Sequence, residues 1–234
     1  MFFLIERLKE MWRLIAPRYC TVCGCRIEQE GVKICRSCQE DMPRTRYAST
    51  PDNPLSQRCR DIDPRIVHVS ALLFYRSGSQ WRRLIHRFKY HGNIHLGDLF
   101  GELLGRELRQ SPIYQDIDFV VAIPLHPIRH FGRGFNQCHS IGRAVAREMG
   151  VKFRLHLLRR TRYNTPQVGL KHQDRWQNAE NLFGVVDAEA FANRSVLLID
   201  DVFTTGATTI SCAQSILAAA PSCKLYIAVI ATPN

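Results

Sequence analysis

The stretch Val196-Leu197-Leu198-Ile199-Asp200-Asp201-Val202-Phe203-Thr204-Thr205-Gly206-Ala207-Thr208-Thr209 decides the fold. Its apolar opening predicts a strand buried on both faces, as in a parallel sheet. Two carboxylates stand where that strand should end. A run of hydroxyls around one glycine then opens an apolar helix carrying Ile210, Ala213, Ile216 and Leu217. Where a loop enters a helix, free backbone N–H groups and the positive dipole end point outward and favour phosphate. Thr204, Thr205, Thr208 and Thr209 add hydroxyl donors, and Gly206 permits close backbone approach. Asp200 and Asp201 suit sugar hydroxyls or a divalent cation. The alternative is a plain strand-to-helix turn with Thr as N-cap and two solvent-facing aspartates. A P-loop is excluded, since no Gly-Lys-Ser/Thr ending is present.

The whole string closely resembles the phosphoribosyl pyrophosphate (PRPP) loop of the type I phosphoribosyltransferases. That resemblance implies that Asp200 and Asp201 contact ribose hydroxyls as the catalytic acidic pair. It implies that Thr204, Thr205, Gly206, Ala207 and Thr208 hold the 5-phosphate.

Working outward, Arg65 to Tyr75, Asp118 to Pro124 and Leu225 to Ile230 read as further strands. Leu96 to Leu108 and Ser140 to Met149 read as helices. Between them lies a basic, aromatic-laced helix with Trp81, Phe88, Lys89 and Tyr90, stopped by Gly92. Such alternation predicts an α/β fold with a mostly parallel sheet and helices on both faces. In open α/β sheets ligands bind at the carboxyl ends of strands, near the switch in strand order. The loop Pro124 to Gln137, after the second strand, and the Asp200 loop are therefore expected to share one crevice. Arg129 and Arg133 there can bind a pyrophosphate bidentately, and Gly134 allows close approach. A basic surface loop capping a helix is the alternative. The segment Leu158 to Leu170 is too polar for core and too long for a tight turn. It reads as a lid closing Arg160, Arg162 and Gln167 over phosphates, or as a disordered loop.

The front of the chain has a different character. Cys20, Cys23, Cys35 and Cys38 form two CxxC turns separated by eleven residues. Each turn can place two thiolates on one ion, and two turns complete the closed tetrahedron of structural Zn2+. Cys25 is an extra thiol that could compete for the fourth position. Cys59 has no neighbour in sequence and reads as a non-ligand. Ahead of the cysteines, Leu4, Ile5, Leu8, Met11, Trp12 and Ile15 predict an amphipathic helix over 1–16, packing on the body or docking on a membrane surface or partner. The proline-bearing stretch between Cys38 and Pro64 reads as a linker. The expected organisation is therefore helix 1–16, zinc module and linker 17–60, and an α/β domain over 61–234.

At 234 residues with 45% hydrophobic content, the chain can bury a real core. Its net charge of +11 predicts attraction to nucleic acid or phosphorylated small molecules. Nine cysteines without a signal-peptide layout argue for reduced thiols or metal and a cytoplasmic address. No apolar stretch is long enough for a transmembrane segment.

Taken together, the CxxC…CxxC front, the Arg133-Gly134-Phe135-Asn136-Gln137 loop, the Thr165-Pro166-Gln167 segment and the Asp200 string closely resemble the ComF (ComFC) family over about residues 17 to 232. The resemblance implies an N-terminal zinc finger joined to a type I phosphoribosyltransferase-like domain. It also implies a role in DNA uptake during natural competence, on the cytoplasmic side, beside a DNA helicase. PRPP with Mg2+ is the implied ligand, and phosphoribosyl transfer the implied activity. Family members often carry another cysteine pair after the second knuckle, of which only Cys59 is present here. Two alternatives remain. One is a nucleobase-salvage phosphoribosyltransferase, for which the sequence shows no assignable base-reading element. The other is a non-catalytic module holding single-stranded DNA through basic residues, the Trp81–Tyr90 aromatics and the zinc knuckles.

Overall fold

The computed structural model describes residues 18–91, 94–125, 136–161 and 182–233. The expected helix over 1–16, the stop at Gly92, and Arg129, Arg133, Gly134, Arg162 and Gln167 lie outside the described residues. At the front, β1 (Arg18–Tyr19) and β2 (Arg26–Ile27) form an antiparallel pair that carries the first CxxC turn between them. The second CxxC opens α1 (Arg36–Glu40). Ile27, Ile34, Cys38 and Met42 are buried in the same apolar cluster as Leu99 and Leu104, so the cysteine module is packed onto the body. Lys33 reinforces the contact through an ion pair with Glu102 at 2.8 Å.

The expected linker is instead structured. Its chain bridges to the main sheet at Arg44 opposite Leu73 and then forms α2 (Pro54–Ile62). Pro54 starts this helix, where its missing N–H costs nothing. Asn53 caps it by accepting the Ser56 N–H at 2.9 Å, and the Asn53 amide and the Ser56 hydroxyl each donate to the Val69 carbonyl at 3.1 Å. Both polar side chains are fully buried, so tertiary hydrogen bonds outweigh a turn-rich local composition.

The body is one sheet built from β3 (Ile66–Phe74), β4 (Phe119–Ala122), β5 (Lys152–Phe153), β8 (Ser195–Val202) and β9 (Lys224–Thr232). Their order is β3-β9-β8-β4-β5, and every neighbouring pair is parallel, as the sequence predicts. Val196, Leu197, Leu198 and Ile199 are each 0% exposed, which accounts for the unbroken apolar run. A separate hairpin, β6 (Leu158–Arg160) with β7 (Phe183–Val185), is antiparallel.

After β4 the chain runs outward to β5, whereas after β8 it runs the opposite way to β9. The strand order therefore reverses between β4 and β8, and their carboxyl ends flank the crevice where α/β sheets bind ligands. Helices α3 (Gln80–His91), α4 (Ile94–Gln110) and α5 (Gln137–Met149) cover one face, and α6 (Ala207–Ala219) the other. Gly97, Gly101 and Gly105 line α4 where it meets α5, and a Cβ at Gly101 would stand 2.6 Å from that of Ala144. This close packing sets the start of α5 beside the end of β4, where the Asn136 amide donates to the Ile123 carbonyl. Trp81 and Phe88 of α3 offer no stacking surface: they are 1% and 0% exposed and belong to the core. Trp81, Leu84, Ile85 and Phe88 share the helical stripe that faces the sheet.

Candidate functional site

The acidic pair lies in the last turns of β8, not beyond it, because Asp200 pairs with Val229 and Val202 with Ala231. Backbone pairing is indifferent to side-chain polarity. Alternation along the strand sends the two carboxylates to opposite faces. Asp200 follows Val196 and Leu198 toward α6, and its Oδ2 accepts the Thr209 hydroxyl at 2.6 Å. Its Oδ1 accepts the Asp201 N–H at 2.8 Å and lies 3.7 Å from Cys138 Sγ on α5. Asp201 follows Leu197 and Ile199 toward α3, where Lys89 Nζ stands 3.3 Å from Oδ1. Asp200 is thus 8% exposed, and the reading of two solvent-facing aspartates fails. Burial, with Asp201 adjacent, pushes the Asp200 carboxyl up to about 6. The Cys138 thiol is pushed well above its ordinary value by burial and then by Asp200, so it stays protonated and can donate weakly to that carboxylate.

Beyond β8, the Phe203 N–H donates to the Ala231 carbonyl at 2.9 Å, and the chain then turns into α6. The N-cap is Gly206, not a threonine, with φ +79° and no side-chain capping bond. The first turn of α6 contains no acid to neutralise its dipole. Thr204 and Thr208 are exposed, Thr205 and Ala207 half-buried. These four residues and Gly206 thus lie together where the loop after β8 enters α6. Thr209, expected to add a donor toward phosphate, is 1% exposed and spends its hydroxyl on Asp200. Gly206 is constrained twice, since its φ is left-handed and a Cβ would run into the fully buried Phe203 ring. Gly206→Ala is expected to destabilise the protein by about 2–4 kcal/mol, lowering Tm by roughly 5–10 °C. An unchanged thermal midpoint would show that the loop has another conformation.

Arg160, Asn136 and Gln137 are the other singled-out loop residues among those described. Arg160 ends β6, its guanidinium 5.3 Å above the Phe183 ring. Asn136 ties the start of α5 to the end of β4, its Nδ2 donating to the Ile123 carbonyl at 2.9 Å. Gln137 Nε2 donates to the Lys89 carbonyl at 2.9 Å, linking α5 to α3 behind Asp201. Lys89 and Cys138 are the site residues that sequence reasoning missed. In the sequence Lys89 looks like one more basic residue of a helix, and Cys138 carries no local signal at all.

At the front, the sulfur atoms of Cys20, Cys23, Cys35 and Cys38 all lie within 4.8 Å of one another, and Cys23 and Cys35 Sγ are 3.7 Å apart. A tetrahedral ZnS4 centre with 2.3 Å bonds has sulfur–sulfur edges of about 3.8 Å, so this donor set fits zinc. The Cys35 N–H donates to Cys20 Sγ at 3.3 Å, the kind of bond that orients a thiolate ligand. Cys25 lies outside this four-sulfur group, and Cys59 is fully buried in the core.

No protein-family model matches the chain. Over 192 residues it is 28% identical to competence protein ComFC of Streptococcus pneumoniae, covering 81% of this chain and 76% of that protein. Over 129 residues it is 30% identical to competence protein F of Haemophilus influenzae, covering 53% of this chain and 56% of that protein. The chain is thus similar to curated proteins named for competence. The match spans about half the length of the Haemophilus relative, and about three quarters of that of the Streptococcus one. Among solved structures, the glutamine PRPP amidotransferase of B. subtilis aligns with a TM-score of 0.43 and 16% identity, over 62% of this chain and 30% of that one. Among the described residues no helix is long and apolar enough to cross a membrane.

Proposed function

We propose that this chain binds PRPP together with Mg2+ in the crevice between β8 and β4, and that it serves the uptake of DNA. The competence-protein names of its relatives support the second part. The observation that carries the first is the acidic pair ending β8 at the reversal in strand order, beside a loop whose glycine is the N-cap of α6.

In this reading the backbone N–H groups of Gly206, Ala207 and Thr208, with the Thr204 and Thr205 hydroxyls, hold the 5-phosphate. Asp200 and Asp201 accept hydrogen bonds from the ribose hydroxyls. Arg129 and Arg133, with Gly134, receive the pyrophosphate, and Arg162 and Gln167 close over it. When bound, Mg2+ offsets repulsion among the pyrophosphate oxygens. Lys89 keeps a compensating cation beside Asp201 before the ligand arrives. Transfer to a nitrogen nucleophile then breaks the bond from the anomeric carbon to pyrophosphate. Positive charge develops on the sugar, and the neighbouring carboxylates stabilise it. Zn2+ in the four-cysteine cluster acts structurally. A single-stranded DNA site remains compatible with the basic excess, but not through Trp81 and Phe88, which are buried.

The test is calorimetric titration of the zinc-loaded protein with PRPP and Mg2+. Saturable binding is expected, weakened at least about 100-fold in the Asp200→Ala, Asp201→Ala double variant, with its circular dichroism unchanged. Equal affinity in that double variant would defeat the site assignment.

A further inference from the structure

Arg58 is 147 residues from Thr205 in sequence, yet its Nη2 donates to the Thr205 carbonyl at 2.9 Å. We propose that Arg58 is a positioning residue that fixes the Thr205–Gly206 peptide, and with it the direction of one anion-facing N–H. This assignment rests on the reading of the loop as a sugar-phosphate seat.

A trans peptide unit points its C=O and N–H in opposite directions. With the Thr205 oxygen drawn toward Arg58, the Gly206 N–H is directed away from α2. Glycine makes this orientation easy to lose, because positive and negative φ are of similar cost and the preceding peptide can turn over. Turned over, the unit would present a carbonyl dipole where its N–H had pointed. A donor from outside the loop settles which orientation holds.

Arg58 is well placed to be that donor. Its guanidinium lies 5.9 Å from the centre of the Phe203 ring, a cation–π contact with the same ring that forbids a Cβ at Gly206. The helix beneath it is anchored by the buried Asn53 and Ser56 on Val69, and by Cys59, which is 0% exposed. Arg58 itself is exposed, so its loss opens no cavity in the core. This gives Cys59 a purpose too. It seats α2 as a small apolar residue next to the arginine that reaches the loop.

The experiment uses the full-length, zinc-loaded protein with PRPP and Mg2+ as the probe, and Arg58→Ala and Arg58→Lys as variants. Calorimetry reads affinity, and the 15N–1H resonance of Gly206 reads the peptide. Arg58→Ala is expected to weaken PRPP about tenfold, with Tm within about 2 °C, and Arg58→Lys to restore most of the loss by supplying one donor. In the unaltered protein PRPP should shift the Gly206 amide strongly, and in Arg58→Ala that shift should shrink. Without ligand, the Gly206 signal of Arg58→Ala should broaden or double as the peptide samples two orientations. Unaltered affinity and an unaltered Gly206 signal in Arg58→Ala overturn the positioning role while leaving the phosphate site standing. If the unaltered protein does not bind PRPP, the ligand reading falls, and the ligand-free Gly206 signal still decides whether Arg58 orients the peptide. Should Arg58→Ala fail to fold, Arg58→Gln, which keeps the stem but is too short for the bond, decides by the same reading: a broadened or doubled ligand-free Gly206 signal upholds the role, and an unaltered one overturns it.

Discussion

Stripping the metal from Cys20, Cys23, Cys35 and Cys38 is expected to unfold the front of the chain while the parallel sheet persists. β1 and β2 contain two residues each and α1 only five, too little secondary structure to stand unaided. Structural zinc supplies roughly 10–16 kcal/mol to isolated zinc-finger peptides at neutral pH, far more than this module's few buried side chains. Part of that effect should reach the body, because Ile27, Ile34 and Met42 share a cluster with Leu99 and Leu104. Loss of even about 4 kcal/mol would lower Tm by roughly 10 °C in a chain of this size. Cys20→Ser and Cys38→Ser, each replacing a buried sulfur, should match the effect of a chelator, whereas Cys25→Ser should not. Metal analysis should find one zinc per chain, and limited proteolysis of the stripped protein should cut within residues 18–41 first. An absence of bound metal in freshly purified protein, with Cys20→Ser melting like the wild type, would leave the cluster without a structural role.

How far the sequence foretold this molecule depends on how local each interaction is. The run Val196–Ile199 predicts a doubly buried strand because burial on both faces leaves no polar alternation, and the structure agrees. The paired CxxC turns were legible for the same reason, since chelation imposes short spacings. The α2 segment was not. Its prolines and polar residues resemble a linker, and only Val69, supplied by a distant strand, makes Asn53 and Ser56 into anchors. Trp81 and Phe88 show the converse error. Basic neighbours suggested a nucleic-acid surface, but the spacing 81, 84, 85, 88 is that of a buried stripe. Lys89, adjacent in sequence, finds Asp201 instead, a pairing that needs the folded sheet to bring α3 against β8. In the candidate site, the acidic pair and its loop were therefore readable, while the groups that tune them were not.

Asp200→Asn is expected to make the folded protein more stable at neutral pH and to impair its binding of PRPP. The folded carboxyl sits near 6, above the ordinary value of 3.8, chiefly because burial disfavours its charge. An acid raised in this way binds its proton more tightly when folded than when unfolded. Unfolding therefore becomes easier as pH rises from about 4 to about 6, and the loss persists above that window. A tenfold difference in proton affinity is worth about 1.4 kcal/mol, so the deficit at about pH 7.5 is on the order of 1–3 kcal/mol. Asparagine removes the charge with little change of shape. Its Oδ1 can accept the Asp201 N–H, and its Nδ2 can donate to the Thr209 hydroxyl, which rotates from donor to acceptor. Urea titrations should thus show wild-type stability falling between about pH 4 and 6 while Asp200→Asn stays flatter and exceeds it above that range. Binding should move the other way, because the carboxylate is the form that accepts hydrogen bonds from ribose hydroxyls. PRPP affinity in the wild type should rise as pH passes through about 6, and that rise should be missing from the variant. A site kept at a cost in stability is one held for its chemistry. If Asp200→Asn were no more stable than wild type at neutral pH and bound PRPP equally well, Asp200 would be a structural acceptor for Thr209 and nothing more.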